Sequence, residues 1–314
     1  MENTEQLKLS LRNLAMTKKL NFLIGSGTSS RAISLMGEIS TQNLEERNNI
    51  LLDKVKKVSV SLITGNYESE EDRTAAITTL NEYEEFILSI SDVLNNANAR
   101  TTPREAIIFT TNYDLFIEKA LDNVITQTPL IFNDGARGYF NRYLDGSNYN
   151  KSFSYRGLNN NYIDELPSLS LIKPHGSVNW EQVKGDQILI KNEVVESNPV
   201  VVPPTGYEDE TTFLNNHFHD MLRIFQLELD KPQSVLFTIG FSFQDKHIAQ
   251  MIRRALNNRE LVIICFCYSQ EDKKKYLNNL ELSGNKSNLK LITPEVLDEK
   301  NLTLKTLTTI LRGD

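Results

Sequence analysis

Cysteine is nearly missing from this chain: 2 among 314 residues, so a four-cysteine zinc site is impossible. Cys265 and Cys267 stand one residue apart in the apolar run Leu261–Tyr268. On a strand, i and i+2 share a face, but such close neighbours rarely bond to each other. They read as buried free thiols of a reducing compartment. Histidine is scarce too, with 4. His217 and His219, two apart on an expected helix, face different directions and read as surface residues, not a chelating pair. An excess of positive charge is also lacking. The 34 Lys+Arg against 41 Asp+Glu leave a net charge of −7, which disfavours a general nucleic-acid binder without excluding a local basic patch. No segment reaches the ~18–20 uninterrupted apolar residues of a membrane span. Met1–Leu20 has neither the apolar core nor the cleavage site of a signal peptide, and a cytoplasmic protein is expected. No repeat or low-complexity tract stands out, and no carboxylate cluster suits a two-metal nuclease; no metal is expected.

What is there suffices for a sizeable core: 39% of residues are hydrophobic, which excludes wholesale disorder. The length suits two domains, or one large α/β domain carrying an insertion. Leu7, Leu11 and Leu14 give Thr4–Lys19 a helical period, and the apolar strand Leu20–Ile24 follows. Leu44, Leu51, Val55, Val58 and Leu62, then Ile77, Leu80, Tyr83, Ile87 and Ile90, predict only helices between Gly37 and Ala99, a helical insertion broken by the polar loop Gly65–Asp72. Strand Ala106–Thr110 and helix Leu115–Leu121 come next. Asn133–Asn161, rich in Gly, Asn, Tyr and Ser and carrying Arg137, Arg142 and Arg156, is longer than an ordinary connection and reads as a lid or binding loop. After strand Leu169–Lys173 and helix Thr212–Leu229, the chain alternates: strand Val235–Ile239, helix Asp245–Asn257, strand Leu261–Cys267, helix Glu271–Leu280, strand Leu289–Ile292 and a closing helix. Strands alternating with helices imply a doubly wound, Rossmann-like parallel sheet, here with a helical insertion, and residues 1–314 read as a single domain.

In such sheets ligands bind beyond the carboxyl ends of the strands, so the residues after each strand carry the chemistry. Four polar clusters stand there: Gly25-Ser26-Gly27-Thr28-Ser29, Thr110-Thr111-Asn112-Tyr113-Asp114, Pro174-His175-Gly176-Ser177 and Gly240-Phe241-Ser242-Phe243-Gln244-Asp245. The first suits a phosphate cradle, with Gly25 and Gly27 for close backbone approach and Thr28 and Ser29 as hydroxyl donors. It is not the dehydrogenase fingerprint: position 30 is serine, and Glu45 and Glu46 fall in a helix where an acidic strand end is required. No Gly-Lys-Ser/Thr follows, so it is not a Walker loop either. Asn112 and Asp114 offer an amide and a carboxylate, although an Asx turn and a helix N-cap would use the same residues. His175, held between proline and glycine, offers a base working near pH 7, although a lone histidine is often structural. Ser242 after Gly240 offers donors to a second phosphate or a ribose. Trp180 and the loop aromatics read as core packing or as base-stacking residues.

In order, these clusters resemble the sirtuin-like (silent-information-regulator-2-like) family. Gly25–Ser29 resembles its Gly-Ala-Gly-x-Ser loop, and Thr110–Asp114 its Thr-Gln-Asn-x-Asp motif with Thr111 at the glutamine. His175-Gly176 is similar to its catalytic His-Gly, and Gly240-x-Ser242 to its later Gly-Thr-Ser nucleotide motif. Two cysteines cannot build the zinc module of the protein deacylases, and Ser30–Glu38 lacks their Gly-Ile-Pro-x-Phe-Arg stretch, which counts against lysine deacylation. Lys173–Trp180 and Ile239–Asp245 resemble the bacterial branch that hydrolyses NAD in defence against phage.

The resemblance implies an NAD glycohydrolase. Asn112 would orient the ribose and the attacking water. His175 would act as base, and Asp114 would supply negative potential or hold the Asn112 loop. Gly25, Ser26, Gly27, Thr28, Ser29, Thr111, Gly240 and Ser242 would hold the pyrophosphate and adenosine side. Unchecked NAD hydrolysis would kill the cell, so control by self-assembly or a partner is expected, with Thr4–Lys19 and Gly37–Ala99 as docking surfaces. The resemblance offers a hexameric DNA-translocase-type ATPase as that partner. Two other readings remain: a sensor that holds NAD or ADP-ribose without turnover, and a nuclease component of a defence complex.

Overall fold

The computed structural model describes residues 2–41, 43–96, 103–154, 165–185, 187–203, 216–282 and 286–313. Arg156, the rest of the long loop from 155 to 161, and the first residues of the helix expected from Thr212 lie outside them.

The chain enters through α1 (Glu2–Thr17) and β1 (Lys19–Ile24). Then come α2 (Leu44–Thr64), α3 (Glu70–Asn96), β2 (Glu105–Thr110), α4 (Phe116–Val124) and β3 (Ile131–Asn133). Short strands β4 (Ala136–Arg137) and β5 (Tyr143–Leu144) precede β6 (Ser168–Ile172), and β7 (Trp180–Val183) and β8 (Gln187–Ile190) follow it. The remainder runs α5 (Asn216–Asp230), β9 (Ser234–Ile239), α6 (Lys246–Ala255), β10 (Val262–Phe266), α7 (Asp272–Asn279), β11 (Leu289–Ile292), α8 (Pro294–Leu297) and α9 (Leu304–Arg312).

Seven strands pair in the order β11-β10-β9-β1-β2-β6-β3, every pair parallel. This is the doubly wound α/β sheet that the alternating pattern predicts. Its central strands are buried on both faces, which is why they read as unbroken apolar runs. Side chains alternate between two cores. Leu20, Phe22 and Ile24 join α1, α3, α4 and α9 on one side; Leu23, Phe109 and Leu236 join α5, α6 and the small sheet on the other. Cys265 and Cys267 point into that second core as free thiols, their pKa pushed up by burial to about 12.

The helical stretch after Gly37 does not form a core of its own. Tyr83, Phe86, Ile87 and Ile90 of α3 are fully buried in the main core, and the Phe86 ring meets Phe22 of β1 edge-on at 5.1 Å. α2 covers less: Val55 and Leu62 are buried, while Leu44, Val60 and Ile63 stay exposed. The Gly- and Asn-rich stretch after Asn133 also differs from the expected loop. Its described part contributes β4 and β5 to a four-stranded antiparallel sheet, order β4-β5-β8-β7, and the buried Trp180 packs in the core beneath it. Strands of two to four residues are too short to show a period in sequence.

The sheet order decides where a ligand can sit. From β1 the chain winds outward through β2 toward β6 and β3, then crosses back to start β9 on the opposite side of β1. A reversal of winding opens a crevice at the carboxyl ends of the adjacent strands. All four polar clusters follow strands of the contiguous set β9-β1-β2-β6.

Candidate active site

Beyond those strand ends lies a pocket of about 340 Å³. One wall is polar, built from Ser26, Ser29, Thr111, Asn112, Asp114, His175, Gly240, Ser242, Gln244 and Asp245. The apolar part of the lining comes from Ile33, Leu35 and Met36 with Leu51 and Val55 of α2. Four loops scattered over more than two hundred residues thus converge on one cleft, in the size range of small-molecule sites.

Gly25, Gly27 and Thr28 are not part of the pocket wall. The loops after β1 and β9 pack backbone against backbone: Gly27 N–H donates to the Gly240 carbonyl at 2.9 Å, and Gly25 N–H to that of Ile239 at 3.0 Å. A β-carbon on Gly25 would sit 2.4 Å from the Gly240 oxygen. Gly240 takes φ +64°, and a β-carbon there would lie 2.7 Å from Thr28 N. Seating these loops against each other already requires both glycines. Residues 26–29 form a single 3₁₀ turn rather than the start of a long helix.

The Thr28 hydroxyl faces inward, donating to the Gly25 carbonyl at 2.7 Å and lying 2.6 Å from the Tyr83 hydroxyl. Tyr83 in turn lies 3.0 Å from Ser29 Oγ, which receives a longer contact of 3.5 Å from Asn112 Nδ2. One sense uses every hydrogen once: Asn112 to Ser29, Ser29 to Tyr83, Tyr83 to Thr28, Thr28 to Gly25. Burial, with the Asp114 charge adding to it, pushes the Tyr83 hydroxyl above its ordinary range, so it stays protonated as this chain requires. Asn112 Nδ2 also donates to Gly25 O at 3.3 Å. With its amino end occupied, Asn112 holds a buried Oδ1 that no described residue satisfies. Unpaired buried acceptors are costly, and at a pocket wall one marks a place for an incoming donor.

Asp114 and His175 are held by a second network. Asp114 Oδ1 accepts from Phe116 N–H at 3.2 Å, the expected turn at the start of α4, and the residue still borders the pocket. Burial raises its pKa, with the Lys173 ammonium opposing. Lys173, at the end of β6 and itself buried, donates to the Asp114 carbonyl at 2.6 Å, Glu118 Oε1 at 2.8 Å and Ser177 Oγ at 2.9 Å. It ties the β2 loop to the β6 loop. The His175 turn is fixed on its other side, where His175 O accepts from Val202 N–H at 2.9 Å and Ser177 N–H donates to Val200 O at 3.1 Å. A β-carbon on Gly176 would lie 1.9 Å from that Val200 oxygen.

His175 Nε2 lies 2.8 Å from Asp245 Oδ2, both side chains largely buried. The other oxygen, Oδ1, caps α6 by accepting from Ile248 N–H at 3.1 Å. Burial works against ionisation of Asp245, yet His175 and the Ile248 amide outweigh it and hold the carboxyl below its ordinary range.

A model described as SIR2-like domain matches residues 106–285, more than half of the chain and three of the four loops. The chain belongs to the SIR2-like family. This is a family of NAD-dependent enzymes, and the sirtuin-like resemblance of the motifs points the same way. No curated protein matches the chain. Within the SIR2-like pocket three residues matter that the motifs alone do not single out. Tyr83 lies on α3, where its spacing is that of any core residue; Lys173 and Asp245 stand inside the quoted motifs, but a sequence gives no sign of what they touch. Among the described residues no group of three or more His, Cys, Asp or Glu is placed to hold a metal ion, and no helix is long and apolar enough to cross a membrane. His217 and His219 lie on α5, away from the pocket lining.

Proposed function

We propose that this SIR2-like protein is an NAD glycohydrolase, releasing nicotinamide and ADP-ribose. The observation that carries the reading is the buried Asn112 Oδ1, without a partner among the described residues, in a pocket that His175 also lines and that has both polar and apolar lining. The residues present fit NAD: the polar lining offers hydroxyls and a carbonyl acceptor, and the apolar lining suits the face of an aromatic ring. When bound, NAD supplies an N-glycosidic bond whose breakage builds positive charge on the ribose and frees a neutral leaving group. The chain therefore has to orient, supply a base and present negative potential.

Asn112 Oδ1 accepts from a ribose hydroxyl or from the attacking water, held in aim by Gly25 O and Ser29. His175 takes up the proton. Asp114 presents its carboxyl near the developing charge, and Ser26, Ser29, Thr111, Gly240 and Ser242 line the remaining polar wall. Gly25, Gly27 and Thr28 act one layer below, shaping the loop.

The defence setting, and control by self-assembly or by a hexameric DNA-translocase-type ATPase, come with this proposal on the strength of the motif resemblance. α2 supports a docking role, since its apolar Val60 and Ile63 are exposed while its neighbour Val55 borders the pocket. Nicotinamide release by wild type, Asn112→Ala and His175→Ala tests the core of the reading. General-base residues contribute ~10²–10⁴-fold, so His175→Ala is expected to lose at least a hundredfold. Tight NAD binding without nicotinamide release, at high protein concentration and with any partner present, would replace the hydrolase by the sensor reading.

A further inference from the structure

We infer that Asp245 is a positioning residue that sets which nitrogen of His175 works as the base; this rests on the hydrolase reading of the pocket. The carboxylate divides its two oxygens between two tasks. Oδ1 is committed to the Ile248 amide at the start of α6. Oδ2 lies 2.8 Å from His175 Nε2, at ion-pair distance, and accepts no hydrogen bond of good geometry from any described residue. A carboxylate oxygen has only lone pairs to offer and repels another lone pair at this distance, so the imidazole nitrogen beside it carries the hydrogen. The neutral ring is then the Nε2–H tautomer, and its lone pair lies on Nδ1. His175 borders the pocket, and no described residue bonds Nδ1. The partner of one ring nitrogen thus decides the chemistry of the other.

The proton balance follows. Nδ1 takes a proton from water as the water oxygen bonds the ribose carbon and the carbon–nitrogen bond to nicotinamide breaks, its electron pair departing with nicotinamide. The imidazolium formed is flanked by the Asp245 carboxylate, which stays ionised, and the proton on Nδ1 is later released to solvent. Asp245 belongs to the loop after β9 and His175 to the loop after β6, strands separated in the sheet by β1 and β2. The pair spans the crevice and closes the polar wall from both ends.

Asp245→Asn is the decisive variant. Asparagine caps helices as well as aspartate does, so its Oδ1 keeps the Ile248 amide. Its Nδ2 then faces His175 Nε2, donor against donor, and the ring must move its hydrogen to Nδ1 to accept. That tautomer presents an N–H where a base is needed. A long-range proton–nitrogen correlation of the imidazoles, assigned with His175→Ala, is expected to show Nε2–H in wild type and Nδ1–H in Asp245→Asn. Nicotinamide release is expected to fall at least ~10²-fold in kcat with KM little changed, the scale of losing a general base. His175→Ala with Asp245→Asn is expected to be no slower than His175→Ala alone. The same tautomer in both proteins, a rate within threefold of wild type, or additive losses in the double variant would each overturn the inference. If wild type shows the Nε2–H tautomer but releases no nicotinamide, the hydrolase reading fails and the pairing stands on the spectra.

Discussion

The loops after β2 and β9 each place an aspartate at a helix entrance on the pocket wall, and the two carboxyls live in opposite conditions. Asp114 spends one oxygen on the Phe116 amide and Asp245 one on the Ile248 amide. Their second oxygens differ. Asp245 meets an imidazole that can become positive, which holds its pKa down; Asp114 is buried, with the Lys173 ammonium opposing the shift but not overcoming it, so its pKa is raised. Environments that push two carboxyls apart commonly divide roles between them. Here the division is between a fixed anion behind the base and a carboxyl whose ionisation burial opposes.

Removing the cation that serves the β2 side should have the largest effect. Lys173→Met leaves the Glu118 carboxylate without its ammonium and cuts the tie between Asp114 O and Ser177. Breaking a buried pair from one side costs about 3–5 kcal/mol; with Glu118 partly exposed, a loss of about 3 kcal/mol in urea unfolding is expected. A loss below about 1 kcal/mol would mean that the β2 loop holds itself, and the comparison would lose its electrostatic basis.

Gly240→Ala tests the β9 side. Its φ of +64° suits glycine, and the added methyl would meet Thr28 N at 2.7 Å. The left-handed conformation alone costs about 1–2 kcal/mol, and the clash adds to it, so a loss of about 2 kcal/mol is expected, with nicotinamide release falling as the β1 loop shifts. Normal stability would mean that the two loops are not seated as described.

How much of this can be read without coordinates depends on the kind of residue. The sheet is legible because strands buried on both faces cannot hide their apolar runs, and because Phe22, Ile108 and Phe237 stand in short segments too apolar for anything else. The convergence of Asn112, Asp114, His175 and Ser242 is legible too, since parallel strands bring all their carboxyl ends to one edge. Partnership is not. Nothing in α3 separates Tyr83, which touches Thr28 and Ser29, from Phe86, which only packs; the distinction arises when α3 crosses beneath the first loop. Asp245 has the sequence signature of a helix N-cap and is one, so the signal for its second oxygen is masked by the first. The glycines of the first cluster are legible as necessary, but the neighbour that demands them is Gly240, a residue 215 positions after Gly25 that no local pattern links to them.

The smallest expected effect divides the two aspartates most directly. A carboxyl whose pKa is raised by folding stabilises the protein below its unfolded value of 3.8 and loses that contribution as pH rises through the folded value. Asp114→Asn removes an ionisation that the fold resists, so the variant should melt a few degrees above wild type at pH 8 and match it near pH 3. A carboxyl whose pKa is lowered contributes above 3.8 and loses the contribution as pH falls through its folded value. Asp245→Asn should therefore melt a few degrees below wild type at pH 6, having lost an anion that its surroundings favour, and the gap should close toward pH 3. Melting curves of the three proteins across that range would thus cross in opposite senses. If both variants shift the same way, the two carboxyls share one environment, and the separation of a favoured anion from a carboxyl whose ionisation burial opposes is wrong.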